Sequence, residues 1–189
     1  MVMKAKHIPN ILSVFRILLS FAFAAIFIWW YPEGVVAAAI IFVVAGASDV
    51  LDGILARRFG WISNAGKILD PLADKLMQCI SLLCLGLRDI LPLWIFILIV
   101  LKEVMMGLGA VILYQKHREI GVSKYFGKAY TVIFYAVVFV FLIAGNTIGE
   151  KTIATYILCA VMAATGFGAL ALYYINYLKT KPTEKGEKH

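Results

Sequence analysis

Ser48–Lys75 reads SDVLDGILARRFGWISNAGKILDPLADK, and four aspartates, Asp49, Asp52, Asp70 and Asp74, interrupt an otherwise strongly apolar chain there. Residues three or four apart share one face of a helix, so Asp49 and Asp52 point the same way, and so do Asp70 and Asp74. The short connection from Arg58 to Gly66 makes the two flanking helices antiparallel neighbours, which predicts four carboxylates facing one another across a helix pair. Left alone, such carboxylates repel or take up protons. A pair of divalent cations relieves the repulsion, and oxygen-only ligation favours Mg2+ or Mn2+. Two metals about 3.5–4 Å apart are a recurrent device of phosphoryl chemistry. The intervening residues suit that reading: Gly53 and Gly66 allow close approach to the backbone, Ala56 is small, and Arg57 offers a planar fork of donors for a phosphate. Pro71 falls in the first turn of its helix, where its missing N–H costs little. Helix capping alone would account for one or two of these aspartates, not for four in register.

The sequence around the motif sets the solvent. The chain has 189 residues, of which 62% are hydrophobic and 15% charged. Soluble domains sit near half apolar and a quarter charged, by rough averages. A water-soluble globule could not hide this much apolar surface, so lipid must be part of the surroundings. A helix needs roughly 20 apolar residues to cross the hydrocarbon. That ruler predicts an all-α, polytopic membrane protein with six transmembrane helices, over Ile11–Tyr31, Val35–Ala56, Ile68–Leu87, Leu91–Tyr114, Ala129–Ala144 and Thr152–Leu178. Residues 1–178 form one membrane domain, and 179–189 a basic, disordered tail of Lys, Thr, Glu and Gly. Met1–Asn10 is basic, but the apolar run after it has span length and no small-residue cleavage site, unlike a signal peptide.

Basic residues orient the bundle. With the N-terminus inside, cytoplasmic segments and helix ends hold Lys4, Lys6, Arg16, Arg57, Arg58, Lys67, Lys116, Arg118, Lys124, Lys128 and the tail lysines, against Arg88 and Lys151 outside. The positive-inside rule then puts both termini, and the aspartate ends of the helices, on the cytoplasmic face of the cytoplasmic membrane. The net charge of +7 therefore faces anionic lipid head groups and not nucleic acid. Cys79, Cys84 and Cys159 lie in apolar stretches at spacings that suit neither zinc nor a disulfide framework. Gly107 and Gly109, with Gly166 and Gly168, are expected to permit close helix packing.

Asp49-x-x-Asp52-Gly53-x-x-Ala56-Arg57, eight residues, then Gly66-x-x-x-Asp70-x-x-x-Asp74 resembles the CDP-alcohol phosphotransferase signature at every defined position. The upstream Pro9-Asn10-x-x-Ser13-x-x-Arg16 extends the similarity. The resemblance implies a six-helix membrane fold, a homodimer, and an active site open to cytoplasm and lipid. It implies that Asp49, Asp52 and Asp70 bind metal and that Asp74 is both a metal ligand and the general base. By the same resemblance Gly53, Ala56, Arg57, Ser63 and Gly66, with Asn10 and Ser13, hold the CDP part of a CDP-diacylglycerol donor. The implied reaction moves the phosphatidyl group onto an alcohol and releases CMP.

The opening IPNILSVFR and Gly127-Lys128-x-x-Thr131 are similar to the phosphatidylglycerophosphate synthases, whose acceptor is glycerol 3-phosphate. A phosphorylated acceptor needs cations, and Lys102, Arg118, Lys124 and Lys128 are the candidates, with Lys116 beside them. Lys102-Glu103 lies within the fourth span, where those synthases carry Arg before the acid; lysine keeps the charge but loses the bidentate fork. A CMP-forming cardiolipin synthase using phosphatidylglycerol is the nearest alternative, with inositol phosphate and serine as further acceptors in the family. A cation or proton transporter is the alternative of another class. It fits less well, because the acids lie toward helix ends and no inverted repeat is visible.

Overall fold

A segment in hydrocarbon has no water to satisfy its backbone, so each apolar run closes its own hydrogen bonds by coiling. The computed structural model describes residues 8–59, 66–115, 124–148 and 152–179. Its helices are α1 (Ile8–Trp29), α2 (Val35–Phe59), α3 (Gly66–Leu87), α4 (Leu93–Gln115), α5 (Lys124–Ile148) and α6 (Ile153–Lys179). Each matches an expected span. Most ends overshoot, α5 by five residues at its start, because hydropathy marks only the apolar run while backbone hydrogen bonding continues into polar sequence. The tail beyond Lys179 lies outside the described residues.

Among the described residues, Asn10–Trp29, Val35–Asp52 and Ile153–Leu172 are long and apolar enough to cross a membrane, and Ala129–Gly145 is a shorter apolar stretch. The outer faces are apolar as well. Ile97, Leu101, Val104 and Leu108 recur at helical spacing along α4 and are each more than half exposed, as are Ile11, Leu18 and Phe21 on α1. Apolar side chains outside as well as inside mark a bundle solvated by lipid, and the chain is a polytopic membrane protein.

The packing order departs from the expected helix pair. α1 lies along both α2 and α3, whereas α2 and α3 touch each other only briefly. The reason is written on α1: Ser13, Arg16, Ser20, Phe23 and Phe27, spaced alternately three and four apart, are all fully buried. This stripe is polar at one end and aromatic at the other, so α1 fills the space between its neighbours along its whole length. At the aromatic end Phe23 stacks on Phe27 with centroids 5.6 Å apart. Phe42 of α2 meets Tyr135 of α5 at 4.8 Å. α5 packs on α2 and α6, and α4 on α3 and α6. The Tyr174 hydroxyl donates to the Met105 carbonyl at 3.2 Å and ties α6 to α4.

The end of the bundle away from the aspartates closes tightly. α3 stops in a Schellman motif: Asp89 takes φ 52°, its N–H reaches the Gly86 carbonyl, and the Ile90 N–H reaches that of Leu85 at 3.1 Å. Ile90 then fills the space where Gly145 of α5 has no Cβ. Arg88 donates to the Ile28 carbonyl and sits 4.8 Å from the Tyr31 ring, and Trp29 and Trp30 stand exposed beside it. Of the four glycines expected at helix contacts, Gly166 serves that role, since a Cβ there would fall 3.0 Å from the Tyr130 ring. Gly107 and Gly168 have nothing within 4 Å, so that expectation is corrected for them; the surroundings of Gly109 lie outside the described residues. The three cysteines are free, with Cys84 and Cys159 buried.

Candidate functional site

The first polar turns of α1 meet the last turns of α2 and the first turns of α3. Arg16, fully buried, projects between the two α2 carboxylates. Its Nη1 lies 2.6 Å from Asp49 Oδ1, and its Nη2 donates to Asp52 Oδ2. Asp52 is buried, whereas the Asp49 side chain keeps 34% of its exposure. The Ser13 hydroxyl donates to Asp70 Oδ1 from the turn below. Ser20, one turn above, donates to the Arg16 carbonyl at 2.9 Å. A guanidinium taken fully out of water needs partners of this kind, because an uncompensated buried charge costs several kcal/mol, on the order of 3–5 when one member of a pair is removed. Arg16 was expected as one of the cytoplasmic cations and as the last residue of the upstream Pro9-Asn10-x-x-Ser13-x-x-Arg16 segment, with no role of its own. The signal that could have singled it out is its register with Ser13, Ser20, Phe23 and Phe27.

Asp74 has different company. Its Oδ2 accepts from Gln78 Nε2 at 3.1 Å, and Lys75 Nζ lies 3.8 Å away. Lys75 reaches across to α4, where Glu103 Oε2 is 2.8 Å distant, and Glu103 Oε1 lies 2.5 Å from Lys102 Nζ. Lys102, 1% exposed, rests its ammonium 3.6 Å from the centre of the Tyr130 ring on α5. Among the described residues, Asp74 Oδ1 is buried with no hydrogen-bond partner. Asp74 follows Asp70 by one turn of α3, so the two groups lie at the same end of the bundle. Gln78 carried no signal in the sequence beyond being a polar residue in an apolar helix.

The other candidates are distributed as follows. Gly66 is buried at the start of α3, and Asn10 is half-buried in the first turn of α1. Gly53, Ala56 and Arg57 lie on the last turns of α2, and Lys124 and Lys128 on the first turns of α5, with side chains outside the described residues. Ser63 and Arg118 lie outside the described residues altogether. Beside Asp49 a cavity of about 310 Å3 opens between α2 and α5, lined by Phe42, Gly46, Ala47, Val50, Tyr135 and Phe139 among others. Its lining is almost wholly apolar, and among the described residues Asp49 is the one carboxylate in it.

Among the described residues, no three His, Cys, Asp or Glu side chains converge closely enough to hold a metal ion. The donor chemistry nevertheless fits a hard divalent cation, since Asp49, Asp52, Asp70 and Asp74 offer carboxylate oxygens only. The partnerless, buried Oδ1 of Asp74 fits it as well. Arg16 supplies the positive charge that the α2 pair has in this structure.

A sequence profile for CDP-alcohol phosphatidyltransferase matches residues 6–171. The chain is 37% identical over 122 residues to a cardiolipin synthase (CMP-forming) / mitochondrial hydrolase fusion protein of Schizosaccharomyces pombe, covering 64% of this chain and 20% of that one. It is 36% identical over 131 residues to a cardiolipin synthase (CMP-forming) of Streptomyces coelicolor, covering 66% and 59%. It is 42% identical over 72 residues to a CDP-diacylglycerol--glycerol-3-phosphate 3-phosphatidyltransferase of Bacillus subtilis, covering 38% and 37%. In each case the match spans less than two thirds of the relative's own length.

Proposed function

This chain belongs to the CDP-alcohol phosphatidyltransferase family, and from that premise we propose that it transfers the phosphatidyl group of CDP-diacylglycerol to glycerol 3-phosphate, giving phosphatidylglycerophosphate and CMP. The observation that carries the reading is that three motif aspartates are held about Ser13 and Arg16 at one end of the bundle, with Asp74 one helical turn from Asp70 on α3. An apolar cavity beside Asp49 supports a lipid-borne substrate, because a lipid chain can lie there with its head group toward the carboxylates.

Asp49, Asp52, Asp70 and Asp74 are the residues that would hold two divalent ions, Mg2+ or Mn2+, which when bound supply counter-charge for the diphosphate. Asn10, Ser13, Gly53, Ala56, Arg57, Ser63 and Gly66 hold the CDP moiety. Asp74 takes the proton of the acceptor hydroxyl, its buried Oδ1 being the oxygen without a partner. The acceptor oxygen forms a bond to the β-phosphorus, counted from the cytidine. The bond from that phosphorus to the bridging oxygen breaks, and CMP leaves with the electron pair. No covalent enzyme intermediate is needed. Of the acceptor-binding cations, Lys102 has its ammonium committed to Glu103 and Tyr130, so the acceptor phosphate falls chiefly to Arg118, Lys124 and Lys128. The basic asymmetry of the loops supports both termini, and this site, on the cytoplasmic side. A homodimer is the assembly the resemblance supports.

A second reading is favoured by the two cardiolipin synthase relatives: phosphatidylglycerol as the acceptor. CMP release by the purified protein in lipid, with CDP-diacylglycerol, Mg2+ or Mn2+ and a panel of acceptors, separates them. Release with glycerol 3-phosphate alone is the expected result. Release with phosphatidylglycerol instead makes the second reading correct. No release with any acceptor, from folded protein, turns the reading toward a cation or proton transporter.

A further inference from the structure

Gln78 is fully buried one turn beyond Asp74 on α3. A buried amide costs free energy unless its donors and acceptor are matched. Here both ends are matched, and by groups of opposite charge: Nε2 donates to Asp74 Oδ2 at 3.1 Å, while Oε1 faces Lys75 Nζ at 3.5 Å. The amide therefore has one sensible orientation, its N–H toward the carboxylate and its carbonyl toward the ammonium. Lys75 is in turn drawn toward α4 by Glu103 at 2.8 Å, and Lys102 fixes Glu103 from its other side. The chain of contacts crosses α3 and α4 and ends on Tyr130 of α5.

We propose that Gln78 is the positioning residue of Asp74, holding Oδ2 so that Oδ1 is the oxygen turned to the incoming hydroxyl. The proposal rests on the base role given to Asp74 above. An aspartate on a helix turns easily about its terminal torsion, and either oxygen can then face the reaction. Tying one oxygen to a buried amide, itself braced by an ion pair on a second helix, removes that freedom. Lys75 does not take the place of Gln78, because at 3.8 Å it lies beyond hydrogen-bonding distance of Asp74. Glu103 keeps it there by pulling the ammonium the other way.

Two variants test this. Gln78→Met keeps the bulk and removes both polar contacts. Gln78→Leu removes both contacts with a branched apolar chain of similar size. Outer partners of working carboxylates typically contribute about 10–100-fold to activity. Both variants should lose kcat for CMP release by roughly that factor, with the KM values for donor and acceptor and the affinity for CDP close to wild type. A wild-type kcat in Gln78→Met overturns the proposal, and so does a loss carried by KM. A wild-type kcat in Gln78→Leu overturns it too. Should Gln78→Met not fold, Gln78→Leu decides alone. Asp74→Asn run alongside separates the two levels: turnover in Asp74→Asn removes the base role itself, whereas an inactive Asp74→Asn beside a fast Gln78→Met removes only the positioning role.

Discussion

Two buried ionic groups sit at the same end of this bundle and are built differently. Between α1 and α2, with Asp70 of α3 alongside, three carboxylates share one guanidinium and one serine hydroxyl. Between α3 and α4, Asp74 and Glu103 are matched by Lys75 and Lys102, with Gln78 completing the contacts. Among the described residues the first group is short of positive charge and the second is balanced. Arg16 and Asp52 are buried, and that makes the difference matter, because water and salt screen a buried charge far less than one on a surface. The first is therefore where added cations have most to gain, and the second is a scaffold that braces Asp74. Acidity alone does not distinguish the two. The local charge balance does.

The largest expected effect falls on the proposed base. Asp74→Asn should reduce CMP release by about 10²–10⁴-fold, the usual contribution of a positioned base, while CDP binding measured by calorimetry stays close to wild type. Near-normal turnover would break the assignment. Next comes Arg16→Met, which strips the unbalanced group of its cation. It should lower stability by roughly 3–5 kcal/mol without divalent ions, read as a fall in thermal midpoint in micelles. Added Mg2+ or Mn2+ should raise the midpoint of this variant more than that of wild type; equal shifts would mean that Arg16 and the metals do not share the carboxylates. Lys102→Met makes the matching change in the balanced group. Glu103 keeps Lys75, so the loss should be nearer 1–3 kcal/mol, and divalent ions should not restore it. A metal-dependent recovery there would erase the contrast. The smallest effect belongs to the opposite end of the bundle. Arg88→Ala should cost only about 0.5–1 kcal/mol, an exposed cation–π contact being worth little more, and should leave CMP release unchanged.

Much of this was legible in the residues. Six apolar runs became six helices, and the aspartate pairs at three- and four-residue spacing came out at matching ends of α2 and α3. The lone cysteines are free thiols. Arg16 and Gln78 were harder to read. Arg16 pairs with Asp52, 36 residues away, and Ser13 with Asp70, 57 residues away. Nothing local in either stretch announces its partner. Lys102 and Glu103 stood out as charges inside a span, but their partner Lys75 lies on another helix. Gln78 has its partners close by in sequence, yet only the position of α4 draws Lys75 away and leaves the amide to Asp74.

The sequence by itself determined that the chain must coil into membrane-length helices, since lipid offers the backbone no other partners. It also determined which carboxylates share a face, since helical period is a local property set by a few consecutive residues. Only the tertiary structure decided that α1 lies between α2 and α3, with its arginine on the α2 carboxylates and its Ser13 on Asp70 of α3. Lipid tails are as apolar as the helix faces they cover, so hydrophobicity does not choose which faces meet. Close packing and the pairing of buried polar groups make that choice, and both depend on contacts between residues far apart in the chain.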